Sequence, residues 1–315
     1  MVIISVTWII DVKLRSCFTV YMRSNCPNSS CNNHNQNDFV VSDGFYFRKD
    51  DSKNIQRFKC KICGKKFSSE TRKLEYRQKK RRVNFTLFGI LSSGVSQRRS
   101  AKLCRINRLT VSRKLIYLAE KSRRENQEFL KKLEQSKVQH LQFDDLITYE
   151  HTKLKPLSVS VAVDATRRYI LGFEIAMIPS FGHLARISKH KYGKRKNEHR
   201  EKLNDLFSKI SSVVDPFAII KSDEHKEYKP IIEIFFPQST FMQYKGEKAT
   251  IAGLGELKKN GRDPLFWINH TLAMFRANIN RLFRRTWCST KSIKSFSDHL
   301  EIFICFYNQH YLTKK

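Results

Sequence analysis

"VQHLQFDDL" occupies residues 138–146. It is the first of three strand-like runs. The others are "LSVSVAVDA" at 157–165 and "RRYILGFEIAMI" at 167–178, with Pro156 and the Arg167-Arg168 region breaking them apart. A basic helix pattern follows at 193–214, "GKRKNEHREKLNDLFSKISSVV". "PFAIIKSDEHKEY" at 216–228 then reads as a buried strand that ends at an Asp and opens a helix. "IIEIFFPQSTFMQY" at 231–244 and a loop rich in Lys and Gly lead to a last helix. That helix is read over Trp267–Trp287, where Ile268, Leu272, Phe275, Ile279 and Leu282 draw one apolar stripe. A second line with the same spacing runs beside it: Asn269, Ala273, Arg276, Asn280.

Three strands, a helix, a strand, a helix, a strand and a helix predict an α/β fold of RNase H-like order over 141–315. In that order Asp144, on the first strand, and Asp223, at the end of "AIIKSD", stand side by side on neighbouring strands. Strand ends of open α/β sheets are where ligands bind. Two hard oxygen donors there suit Mg2+ (or Mn2+), which completes its shell with water and phosphate. Two such ions clamp the attacking and leaving oxygens of a phosphoryl displacement. The plainer reading is that each Asp caps the next helix. Asp145 points to the opposite sheet face from Asp144, and strand register decides between the two. Asp164 is a rival on the second strand, although "DATRR" reads as a turn.

The 315 residues carry 60 Lys+Arg against 29 Asp+Glu, a net charge of +31. That balance implies a polyanionic partner, double-stranded DNA before an anionic membrane. No apolar stretch reaches transmembrane length, so a cytoplasmic protein without membrane contact is expected. Eight cysteines are present. Cys26 and Cys31 are separated by four residues, and Cys60 and Cys63 by two, with 28 between the pairs. A hairpin signal at Asp43-Gly44 lies between them. Residues 23–75 therefore read as a zinc ribbon with Cys26, Cys31, Cys60 and Cys63 as ligands to a structural Zn2+. His34 is a less favoured substitute. Residues 1–22 read as an extension, with Met22 as an alternative start.

Arg57–Arg82 holds 12 basic and two acidic residues, a run suited to tracking phosphates. Residues 76–122 read as a helix-turn-helix: a helix ending at Gly94, a second capped by Ser96, and a third over "RLTVSRKLIYLAEKSR". Arg108, Thr110, Ser112, Arg113 and Lys114 of the third would reach DNA, and Leu109, Leu115 and Leu118 would face inward. A plain three-helix packing unit is the alternative. Residues 123–140 read as a linker helix.

The cysteine pairs, the helix-turn-helix, "FDD", "KSDEHKEY" and "INHTLAMFRANINRLFRRTWCSTKS" together resemble bacterial insertion-sequence transposases of the DDE class. Within that class the chain is similar to the IS-one group with its N-terminal zinc ribbon, over nearly all of its length from about residue 23. The resemblance implies a transposase that binds element ends, cleaves and transfers strands with divalent metal, and acts as a homo-oligomer on DNA. It favours Asp144 over Asp145 and matches Asp223 with Tyr228. It also aligns the family's third carboxylate with Asn269 and its basic partner with Arg276. An Asn carbonyl can still ligate Mg2+ or hold its water. Glu256, in "GLGELKKNG", is the other choice for third ligand. Arg281, Arg284 and Arg285 of the same run are expected DNA contacts.

Overall fold

A computed structural model describes residues 25–245, 263–283 and 286–312. These residues form two compact units that divide between Lys79 and Lys80. Among the described residues the first holds a three-stranded sheet, and the second is mixed α/β, with a five-stranded sheet and the helices.

In the first unit β1 (Val40–Arg48), β2 (Lys53–Cys60) and β3 (Lys66–Ser68) form an antiparallel sheet in sequence order. The expected hairpin at Asp43-Gly44 lies elsewhere. The register slips between Ser42 and Phe45, so Asp43-Gly44 is a bulge inside β1. The chain reverses at 49–52 instead, where Arg48 holds Asp51 through two hydrogen bonds of 2.6 and 2.5 Å. Val40, Phe58 and Phe67 pack with three of the cysteines as its small core.

The second unit begins with α1 (Val83–Leu91), α2 (Gln97–Leu103) and α3 (Arg108–Leu133). Ser96 caps α2 and Asn107 caps α3, the latter accepting from Leu109 N at 2.8 Å. Of the segment expected as a linker helix, 123–133 is the second half of α3, 134–137 is a turn and 138–140 opens a strand. The helical part is packed, not free: Arg123 pairs with Asp298 at 3.1 Å and Asn126 bonds Glu301 at 2.8 Å, both on α8 (Ile293–Phe306). Chain direction then changes into β4 (Val138–Tyr149), β5 (Pro156–Asp164) and β6 (Ile170–Met177), an antiparallel meander. Two helices follow, α4 (Leu184–Tyr192) and α5 (His199–Ile210), then β7 (Val214–Asp223), α6 (Tyr228–Phe235) and β8 (Thr240–Tyr244). β7 and β8 run parallel, and the sheet order is β6-β5-β4-β7-β8.

Helices cover both sheet faces. Leu203, Leu206 and Phe207 of α5 and Ile231 and Ile232 of α6 meet Leu141 and Phe143 on one side. Ile268, Leu272 and Phe275 of α7 (Phe266–Asn278), with Phe296, Leu300 and Phe303 of α8, meet Leu146 and Val159 on the other. Every residue of β5 is buried, as a strand between two helical layers requires.

The helix read over Trp267–Trp287 is thus shorter. It stops at Asn278, and Ile279 is extended, although Ile279 and Leu282 keep their buried stripe. The free carbonyl of Asn278 accepts from Gly94 N at 2.7 Å. Gly94 has φ +71°, and a Cβ there would lie 3.0 Å from Ala277 O and from Phe283 Cζ. The close approach that ends α7 therefore requires a glycine.

One inward and one outward assignment on α3 are corrected. The buried positions are Val111, Lys114, Leu115, Leu118, Ala119 and Ser122. Leu109 lies off that stripe and is 59% exposed. Lys114, expected on DNA, is 3% exposed and donates to Asn84 Oδ1 at 2.5 Å. Arg108 and Arg113 are exposed, and Thr110 and Ser112 half-buried, Ser112 donating to Gln97 at 2.8 Å. Lys114→Ala is expected to destabilise the second unit by about 1–3 kcal/mol in denaturant unfolding, through the lost hydrogen bond to Asn84 and lost packing. Arg113→Ala is expected to leave the same transition unmoved and to weaken DNA binding.

Candidate functional site

The cysteines of the first unit converge from two turns. All four ligand sulfurs lie within 4.8 Å of one another, with Cys26 Sγ 3.7 Å from Cys63 Sγ and Cys31 Sγ 3.9 Å from Cys60 Sγ. Disulfides are excluded at that spacing. Sulfurs at about 2.3 Å around a tetrahedral ion stand roughly 3.8 Å apart. The set could therefore hold one metal ion, and four soft thiolates suit Zn2+. Backbone N–H groups are already turned toward the sulfurs. Lys65 N pulls the Cys63 thiol down to about 6, and the amides of Cys63 and Ile62 lower Cys60. Burial pushes Cys26 up to about 12, so this thiol is the one that most needs a cation to ionise. His34 is exposed and stands outside the set.

In the second unit, β4 and β7 pair in parallel with Gln142 opposite Lys221. Two residues further along each strand stand Asp144 and Asp223. Strand alternation sends the two neighbouring aspartates of β4 to opposite faces. Asp145 lies on the face of Leu141 and Phe143, covered by α5 and α6; Asp144 lies on the face of Leu146, covered by α7 and α8.

Asp144 is raised to about 7. Burial is the main cause; the charges of Asp223 and Asp145 add to it, and the Asp145 amide, 2.6 Å from Oδ1, and Arg276 oppose it. Asp223 is also raised, by burial and by Asp145. Its Oδ1 is buried with no hydrogen-bond partner among the described residues. Two close carboxylates, one with an orphaned oxygen, are costly without a cation. Both fit the oxygen-donor set of Mg2+.

Helix α7 is tied to β4 beside Asp144. Gln142 accepts from Ile268 N at 3.1 Å and donates to Pro264 O at 3.0 Å. Asn269 lies one turn inside α7, so it is not the cap residue. Its Nδ2 donates to Asp263 Oδ2 at 2.8 Å, which holds the amide in one orientation. Arg276 follows two turns later on the same helix face and acts electrostatically on Asp144. Arg281 instead turns inward, its guanidinium 3.4 Å from Thr290 Oγ1. Arg284, Arg285 and Glu256 lie outside the described residues. Asp164, the rival on β5, holds a turn: it accepts from Thr166 N, Arg167 N and, at 2.5 Å, Arg167 Nε.

Asp145 anchors a network that the spacing of residues does not announce. It is bonded by His199 Nε2, Ser160 Oγ and Tyr228. Burial favours its neutral form, yet these partners hold it below the ordinary carboxylate range. Glu227 Oε2 takes the other ring nitrogen of His199 at 2.8 Å. Burial alone would lower His199; the two carboxylates outweigh it and lift the imidazole to about 9. Tyr228, expected only as a helix residue after Asp223, is 1% exposed against the rings of Phe143, His199 and His225. Among the described residues no helix is long and apolar enough to cross a membrane. No family model matches this chain, and no curated protein is significantly similar to it.

Proposed function

We propose that the protein is a divalent-metal-dependent DNA transposase of RNase H-like fold, acting as a homo-oligomer on the ends of its own element. The observation that carries this reading is the carboxylate pair of Asp144 and Asp223 on adjacent parallel strands, with Asp223 Oδ1 orphaned. The sheet order, third-second-first-fourth-fifth within the unit and antiparallel only in its first three strands, supports the fold. Mg2+ held by Asp144 and Asp223 would activate a water to cut at an element end, and then the freed 3′-hydroxyl to attack target DNA. Asn269, fixed by Asp263, would offer an uncharged oxygen to the metal shell. Arg276 would neutralise a phosphate on the same side. The cysteine set, as a zinc ribbon, and the exposed Arg108 and Arg113 would contact the ends.

A supercoiled plasmid carrying the gene with its flanking DNA, incubated with the protein and Mg2+, tests this. Joined products with the element's 3′ ends are expected. Cutting without joining would leave a nuclease of the same fold, and binding alone a regulator with an inactive second half. Affinity for the same DNA is expected to fall about 10^3-fold or more between 50 and 200 mM salt, as 6–10 phosphate contacts require. The net charge of +31 motivates that slope; a flat response in filter binding would assign the basic surface another role.

A further inference from the structure

We propose that His199, His225 and Glu227 form a second transition-metal site, with Asp145 as the carboxylate that orients His199. One ligand atom from each of the three lies within 4.8 Å of the others. The two imidazoles meet at 5.0 Å between ring centroids with planes 68° apart, as two ligands around one ion do. Two histidines and a carboxylate with an open fourth position are a recurrent zinc set.

The surroundings suit an ion. His199 Nε2 is engaged by Asp145, which is itself held by Ser160 and Tyr228. A carboxylate behind a histidine fixes its ring and strengthens the other nitrogen as a ligand. That other nitrogen, Nδ1, faces Glu227 Oε2 at 2.8 Å. An ion bound at about 2.0–2.2 Å by each would need them roughly 3 Å apart, a small adjustment. The ion takes the place of the Nδ1 proton, and the negative field of two carboxylates that favours the proton favours a dication as well. His199 is buried, while Glu227 keeps 26% of its side chain exposed, which leaves the fourth position to water. The ligands come from the start of α5 and from the β7–α6 connection, so the ion would pin the segment after Asp223 to β4 and α5. Imidazole ligation selects Zn2+ over Mg2+, which separates this site chemically from the Asp144–Asp223 pair. It stands whether or not those aspartates catalyse anything.

Zinc per chain, measured by mass spectrometry on dialysed full-length protein, tests the site. His225→Ala and Glu227→Gln, both at partly exposed positions, are each expected to lose one zinc equivalent while circular dichroism is unchanged. Loading the wild type with Co2+ is expected to give a second equivalent whose absorption lacks thiolate charge transfer, and which His225→Ala abolishes. A His225→Ala protein with the same zinc content as wild type would overturn the site, as would Co2+ spectra of thiolate character alone. Joining activity plays no part in either readout, so failure of the transposase reading would leave this result intact.

Discussion

In a Cys60→Ser, Cys63→Ser double variant, the first unit is expected to lose its metal and its fold together, while the unfolding transition of Lys80–Lys315 persists. The magnitudes decide this. The core cluster of the first unit holds three apolar side chains besides its cysteines, Val40, Phe58 and Phe67. Each contributes about 1.5–3 kcal/mol on burial. A structural zinc contributes on the order of 10–16 kcal/mol in small ribbons and fingers. Nothing else among the described residues of this unit is of that size: the Arg48–Asp51 and Arg48–Glu70 pairs are largely buried, and the cost of desolvating the charges offsets much of their attraction. Proton resonances of residues 25–79 should collapse to the unfolded range, and zinc content should fall by one equivalent. Chelation of the wild type should reproduce the collapse of these resonances. A double variant that keeps a dispersed spectrum and stoichiometric zinc would show that the sulfurs are not the ligands.

Asp144→Asn and Asp223→Asn are each expected to reduce strand transfer by at least about 10^3-fold without loss of DNA binding. Metal-assisted charge stabilisation is worth several kcal/mol, and each 1.4 kcal/mol is tenfold in rate. Both substitutions preserve shape and remove one of the two charges that make the site costly without a cation. The same changes are therefore expected to raise the melting temperature of the metal-free chain, because Asp144 and Asp223 raise one another's energy there. Loss of activity with gain of stability separates a site residue from a structural one. Asn269→Ala is expected to follow in activity, and Asn269→Glu to lower the Mg2+ concentration required, since the added anion attracts the ions.

The parts of this protein that chemistry alone dictates were legible in its sequence. Paired cysteines announce a cluster because few other uses require those spacings, and the four sulfurs do converge. Alternation along "VQHLQFDDL" divides Asp144 from Asp145 because strand period leaves no freedom. What tertiary contact decides was not legible. Asp43-Gly44 looks like a hairpin but is absorbed as a bulge, because the pairing of Val40 with Cys60 sets the register. Leu109 looks like core, yet capping by Asn107 phases α3 so that Lys114 is buried instead. Helix α8 did carry a signal, with Phe296, Leu300 and Phe303 at helical spacing behind the cap Ser292. His199 and Glu227 carried none. They are 28 residues apart in segments of mixed charge; the fold brings His199, at the start of α5, to Asp145, and Glu227, at the head of α6, to His199.

The central claim is that Asp144 and Asp223 bind the ions that drive the chemistry, and a change of metal preference tests it most directly. Asp223→Cys places a soft thiolate where a hard oxygen stood, and thiolates take Mn2+ far more readily than Mg2+. Joining of plasmid-borne element ends by the full-length variant should be abolished in Mg2+ and recovered in Mn2+, with wild type active in both. A variant whose joining is equal in the two ions would contradict the account, whether it is active in both or inactive in both.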